Sequence, residues 1–257
     1  MPPRPADGTT GVEMGLPTHL RLLDPLGGGT GGTVWRARDT RRGRDVAVKL
    51  LDGDGAAEVL EHEARAHARL RGVEGVLALH ECGLTARGVA WLATDLAEGS
   101  LAERLRGAPL GDDAARVLCA QLAGTLAEVH RLGVAHGDLT PANVLFGPDG
   151  RALLADFGLA SLDGEPGRGG CTPAYAAPER LRGAPPSPAS DVYSLAATVV
   201  AAAHGRPPGR SAPDGLPGWL LQCLDPRPSR RPDAARVAAA AGAHGRRRGV
   251  RRRRADR

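Results

Sequence analysis

The chain has 257 residues, 42% hydrophobic but only 3% aromatic, so Ala, Leu and Val must build most of its core. That length suffices for one large domain or for two lobes. The formal charge of +5 is local: residues 246 to 257 hold eight Arg and one Asp, a balance of +7 that leaves −2 on the other 245 residues, which argues against a broad nucleic-acid-binding face on the folded body.

Residues 1 to 18 are rich in Pro, Gly and Thr and read as a flexible leader without the apolar run of a signal peptide. The stretches "HLRLLDPL", "TVWRARD" and "DVAVKLL" alternate apolar residues with Gly and Arg-Asp turns, as antiparallel strands do. Residues 57 to 70 change to helical spacing, with Val59, Leu60, Ala64, Ala66 and Leu70 as apolar markers. Two further strand-like runs follow, "GVLALHECG" and "VAWLATDLA". Beyond "EGSL" the pattern is helical. One long helix is expected over 111 to 133, with Asp112 or Asp113 as its start signal and Gly133 as its stop. A buried helix is expected over 189 to 205, and two short ones in "LPGWLLQCL" and "PDAARVAAAAG". Cys82, Cys119, Cys171 and Cys223 form no C-x-x-C pair, which predicts free thiols in a reducing compartment. The longest apolar run, 195 to 203, is too short to span a bilayer. A cytoplasmic protein without a transmembrane segment is expected. The Arg-rich end reads as a disordered tail, with an anionic partner as its functional alternative.

The chemistry-bearing residues are ordered along the chain. Gly27, Gly29, Gly32 and Val34 fit G-x-G-x-x-G-x-V, and Gly28, Thr30 and Gly31 fill the run. Such a run lets backbone N–H groups approach phosphates, although a glycine-rich chain can produce the match by chance. Lys49 is the only lysine among 34 basic residues and stands in a strand-like segment, where its point-like ammonium suits phosphate oxygens. Fourteen residues on, Glu63 faces it if the helix packs on the sheet, with Glu58 and Glu61 as rivals. In "VAHGDLTPANVLF", Asp138 and Asn143 lie on a loop broken by Pro141, and Asp156 follows in "LLADFGLA". Asn143 and Asp156 are oxygen ligands suited to Mg2+. Asp138 is then placed to accept the proton of an incoming hydroxyl.

Over residues 19 to 242 the chain resembles the eukaryotic-type (Hanks-type) Ser/Thr protein kinases of bacteria. "CTPAYAAPE" is similar to the end of that family's activation segment, with Thr172 at the threonine that marks Ser/Thr specificity. Asp191 matches the aspartate that braces the catalytic loop, and Arg231 the arginine that pairs with Glu179. The resemblance implies a bilobal α+β fold: leader 1–18, β-rich N-lobe 19–98, shortened α-helical C-lobe 99–242 and tail 243–257. It implies ATP and Mg2+ as cofactors and protein Ser/Thr hydroxyls as acceptors. It places a gatekeeper at Thr94, a hinge at Asp95 to Ala97, and Ala47 and Leu145 against the adenine.

The chain departs from the family at two positions. It reads His136-Gly137-Asp138 where the family has Arg at the middle position, which implies no strict need for activation-loop phosphorylation. Thr140 replaces a lysine that touches the transferring phosphate, which implies slower chemistry. Two alternatives stay open: a nucleotide-binding pseudokinase acting as a scaffold or switch, and a small-molecule kinase of the same fold, whose relatives also write H-G-D-L-x-P-x-N.

Overall fold

The computed structural model describes residues 15 to 243 apart from 30, 31, 52, 164, 166, 168 and 210 to 214. The Arg-rich stretch and Thr30 and Gly31 of the glycine run thus lie outside the described residues. The chain divides into two compact units, Met1–Arg71 with Leu77–Ala97, and Gly72–Val76 with Glu98–Arg257.

The first unit is a five-stranded antiparallel sheet in the order β1-β2-β3-β5-β4. Its strands are β1 (Leu20–Gly29), β2 (Gly32–Asp39), β3 (Arg44–Leu51), β4 (Leu79–Leu84) and β5 (Ala90–Asp95), joined by one helix, α1 (Ala56–Arg69). Strand alternation splits β3 cleanly. Val46, Val48 and Leu50 enter a core with Leu20, Ala37, Trp91 and Ala93, whereas Leu51 joins Leu92 and Ala90 against Ala56 and Leu60 of α1. Leu16, inside the stretch expected to be a leader, is only 5% exposed and belongs to the first of these cores. Within the glycine run, Gly27, Gly28 and Gly29 are strand residues, paired with Val34, Thr33 and Gly32. Pairing with β2 here overrides the low strand preference of glycine.

The second unit is mainly helical. After β6 (Gly99–Ser100) come α2 (Leu101–Leu105), α3 (Asp112–Arg131), β7 (Val134–Ala135), β8 (Val144–Phe146), β9 (Ala152–Leu154) and β10 (Ser161–Leu162). They are followed by α4 (Pro178–Leu181), α5 (Pro188–His204), α6 (Gly218–Cys223) and a last helix over 234–243. The start of α3 matches the sequence expectation in place. Its N-cap is Gly111 without a side-chain bond, and Asp112 and Asp113 sit inside the first turn, where they favour the helix dipole. Helix α5 is buried on nearly every side, as its composition requires. A reciprocal capping box between Ser187 and Ser190 starts it, and Gly205, at φ +79°, stops it. A cap of this kind contributes about 1 kcal/mol. The four cysteines carry no disulfide, and burial pushes the thiols of Cys119 and Cys223 well up from their ordinary range. Among the described residues no helix is long and apolar enough to cross a membrane.

Candidate active site

In the first unit, strand register gathers the expected nucleotide-binding side chains. Val34 pairs with Lys49 across β2–β3, and Ala47 pairs with Thr94 across β3–β5. Directly opposed residues share a face of the sheet, so Val34, Ala47, Lys49 and Thr94 lie together, on the face that carries α1. Lys49 Nζ is 3.3 Å from Glu63 Oε2, with the side chains 17% and 5% exposed. Spacing selects Glu63: Leu60, Glu63 and His67 turn inward on α1, whereas Glu58 and Glu61 are exposed.

Gly32 meets a hard constraint. Its φ is +108°, and an added Cβ would lie 2.0 Å from the Leu50 carbonyl oxygen, so no side chain fits. At Gly27 a Cβ would meet nothing within 4 Å, and that glycine is free of such a constraint. At the end of β5 the Asp95 N–H donates to Ala78 O at 3.1 Å, and the Thr94 hydroxyl donates to Asp95 O at 3.2 Å. The Asp95 carboxylate turns to His80 and Arg44, at 2.8 and 3.1 Å. Ala97 is the last residue of this unit.

In the second unit the loop between β7 and β8 is fixed from α5. Asp191, 1% exposed, accepts the N–H of His136 at 2.7 Å and of Gly137 at 2.9 Å. His130 Nε2 lies 2.9 Å from the same carboxylate. The Thr198 hydroxyl donates to Leu139 O at 3.2 Å. The buried His136 has a defined tautomer: Nε2 faces the Ala155 carbonyl at 3.0 Å and must donate, which leaves Nδ1 to accept the Asp138 N–H at 3.3 Å. Its ring packs on Phe157 with centroids 4.7 Å apart.

These restraints hold Asp138 beside Thr172. The backbone N–H of Thr172 donates to Asp138 Oδ1 at 2.7 Å, and its hydroxyl donates to Oδ2 at 2.9 Å. Asn143 Nδ2 donates to the Asp138 carbonyl at 2.8 Å, so its Oδ1 is the atom suited to a hard cation. Val144 pairs with Leu154, and the Ala155 N–H reaches Asn143 O at 3.0 Å. The β8–β9 hairpin thereby brings Asn143 and Asp156 out at the same end. Asp156 has φ +63°, the only positive φ outside glycine among the described residues, and strain of this kind concentrates at functional positions. An amide oxygen and a carboxylate at one hairpin end fit Mg2+ in donor chemistry. Leu145 lies on β8 between the strand's two buried residues.

Farther along, Arg231 clamps Glu179 with two bonds of 2.6 and 2.8 Å and also donates to Ala189 O and Asp225 O. Burial opposes ionisation of Glu179, but the Arg231 guanidinium outweighs it and holds the carboxyl below its ordinary range. Neither departure from the family pattern is a simple gap. At Gly137 φ is +86°, and a Cβ would lie 2.6 Å from Leu159 O and 2.9 Å from Pro186 Cγ. A side chain at this position would require the Leu159 backbone and Pro186 to shift. Thr140 is 4% exposed, so its side chain is packed. Sequence reasoning missed His130, Thr198 and Arg180. For His130 the available signal was its position on the last turn of a helix, six residues before His136.

Residues 20–215 match the family model described as protein kinase domain, and the chain belongs to that family. It is 36% identical over 192 residues to Serine/threonine-protein kinase PknK of Mycobacterium tuberculosis (strain ATCC 25618 / H37Rv), covering 71% of this chain and 17% of that protein. It is 34% identical over 261 residues to Serine/threonine-protein kinase PkaA of Streptomyces coelicolor, covering 84% and 48%. A third relative, Serine/threonine-protein kinase PknA of Mycobacterium tuberculosis (strain ATCC 25177 / H37Ra), is 34% identical over 239 residues, covering 86% and 55%. The chain thus spans about half or less of the length of these relatives.

Proposed function

We propose that the chain is an ATP-dependent protein kinase that transfers the γ-phosphoryl group to Ser or Thr hydroxyls of protein substrates. The observation that carries this reading is the Asp138 carboxylate, held by both donors of Thr172 beside Asn143. In this reading Asp138 orients the acceptor hydroxyl and takes its proton as the oxygen attacks the γ-phosphorus and ADP leaves. Lys49, steadied by Glu63, pairs with phosphate oxygens. The Asn143 amide oxygen and the Asp156 carboxylate would hold Mg2+, which would supply charge neutralisation for the phosphate oxygens. Val34, Ala47 and Thr94 border the adenine on the sheet face, and the Asp95 to Ala97 backbone supplies its hydrogen bonds. Gly27, Gly28, Gly29 and Gly32 present backbone to the phosphates.

Transfer needs no phosphate on the activation segment, because Gly137 offers no cation to receive one. Thr140 lacks the charge of the family's lysine and slows transfer; losing one such stabiliser costs on the order of 10²-fold in other enzymes. The packed Thr140 is also what favours the second reading, a nucleotide-binding pseudokinase. Incubating the purified protein with Mg-ATP and a basic acceptor protein separates the two. Label transferred to Ser or Thr and lost in Asp138→Asn supports the kinase. ATP-induced thermal stabilisation without transfer supports the pseudokinase.

A further inference from the structure

We propose that Arg180 is a positioning residue for phosphoryl transfer, holding the activation segment against the catalytic loop where no phosphate is available to do so. This rests on the kinase reading and names the group that makes phosphorylation dispensable in it. Arg180 lies on the short helix α4, directly after Glu179, and is 7% exposed. One guanidinium nitrogen, Nη2, donates to the Gly170 carbonyl, and Nη1 donates to the Ala184 carbonyl. Its Nε is buried with no hydrogen-bond partner among the described residues.

Burying a guanidinium against neutral carbonyls, with one N–H unmatched, costs stability and is a poor way to hold a fold together. The position of Gly170 gives that cost a use. It lies two residues before Thr172, whose N–H and hydroxyl fix both oxygens of Asp138. Arg180 therefore reaches the proton-accepting carboxylate through three residues of backbone. The guanidinium is a planar fork that can serve two carbonyls at once, which an ammonium cannot do in the same geometry.

A second observation concerns the space an arginine at position 137 would need. That space holds the segment itself. A Cβ at Gly167 would lie 2.7 Å from Pro186 Cγ and 2.9 Å from the carbonyl oxygens of both Leu159 and Ala160. A Cβ at Gly137 would meet the same Leu159 carbonyl and the same proline. The two glycines thus let the start of the segment, the catalytic loop and the residues after α4 meet at backbone distance. Close packing at one end and Arg180 at the other replace a phosphate-dependent tether with contacts that need no modification.

The test uses the full chain and two variants, Arg180→Gln and Arg180→Lys. Four quantities are measured: kcat, ATP dissociation constant, melting temperature, and hydrogen exchange of the Thr172 N–H. Arg180→Gln is expected to lower kcat by about ten-fold or more while ATP affinity stays within about two-fold, with faster exchange at Thr172. Arg180→Lys keeps the charge but loses one of the two carbonyls, so its kcat falls between the wild type and Arg180→Gln. A folded Arg180→Gln with unchanged kcat overturns the proposal. So does a loss of kcat that merely follows the fraction unfolded. If the wild type transfers no phosphate, the kinase reading fails, and exchange at Thr172 still decides whether Arg180 holds the segment.

Discussion

Thr172 and Asp138 are joined by two hydrogen bonds, one from the threonine N–H at 2.7 Å and one from its hydroxyl at 2.9 Å, each to a different carboxylate oxygen. The two residues are 34 positions apart in sequence, so the contact ties the end of the activation segment to the catalytic loop. A hydrogen bond to a charged group contributes about 1.5–3 kcal/mol. Thr172→Ala removes the hydroxyl donor and leaves the backbone donor. It is expected to lower kcat by roughly ten- to a hundred-fold, with ATP affinity unchanged, and Thr172→Ser restores most of the rate. Steady-state kinetics on the two variants checks this.

Gly137 fails to accept a side chain for two separate reasons, its φ of +86° and the Leu159 carbonyl 2.6 Å from a prospective Cβ. Gly137→Ala is therefore expected to destabilise the protein by about 1–3 kcal/mol, read as a lower melting temperature. Gly137→Arg restores the family's residue in name and is expected to lower activity rather than raise it. Wild-type stability in Gly137→Ala would contradict the packing described around that loop.

The Glu179–Arg231 pair gives the protein an acid-sensitive contact. The folded-state carboxyl titrates below the ordinary 4.5, so the unfolded chain takes up its proton first as pH falls. The contribution is present above the ordinary value and is lost as pH drops through the lowered one. Glu179→Gln is expected to be less stable than the wild type at pH 7, and that difference should shrink on acidification below pH about 4.5. Denaturant melts of both proteins from pH 7 to pH 3 measure it.

Lys49 and Glu63 form a largely buried pair at 3.3 Å. Lys49→Arg keeps the charge and, with a folded sheet, should leave the melting temperature within a few degrees. The guanidinium is broader and cannot occupy the ammonium's place. Transfer is expected to fall by about a hundred-fold or more, as a single-turnover assay would show.

The parts of the site that sequence made legible are those in which one residue type has one chemical use. A lone lysine among arginines singled out Lys49, which the structure pairs with Glu63, and the spacing of Asp138, Asn143 and Asp156 singled out the loop and hairpin end on which they stand. Helical spacing alone left Glu58 and Glu61 as rivals of Glu63, and the inward turn of Leu60, Glu63 and His67 on α1 decides between them. The period-2 and helical patterns located the strands and the long helices to within a few residues. What sequence did not disclose depends on contacts between distant segments. The inward turn of His130 toward Asp191, the Arg180 bond to Gly170, and the crowding at Gly137 join residues from 10 to 61 positions apart, or concern space that no local pattern records. Gly137 is the clearest instance. Composition presents it as a deletion of charge, whereas the backbone around it makes any side chain costly.

The central claim is phosphoryl transfer by this chain without prior phosphorylation of its activation segment. It is tested most directly by treating the protein with phosphatase, verifying by mass spectrometry that no phosphate is present, and then following transfer from Mg-ATP to a Ser/Thr acceptor from the first turnover. The expected result is a linear progress curve without a lag, abolished in Asp138→Asn and unchanged by prior incubation with ATP. A lag that disappears once Thr172 or another activation-segment hydroxyl is phosphorylated, or no transfer despite ATP binding, would contradict it.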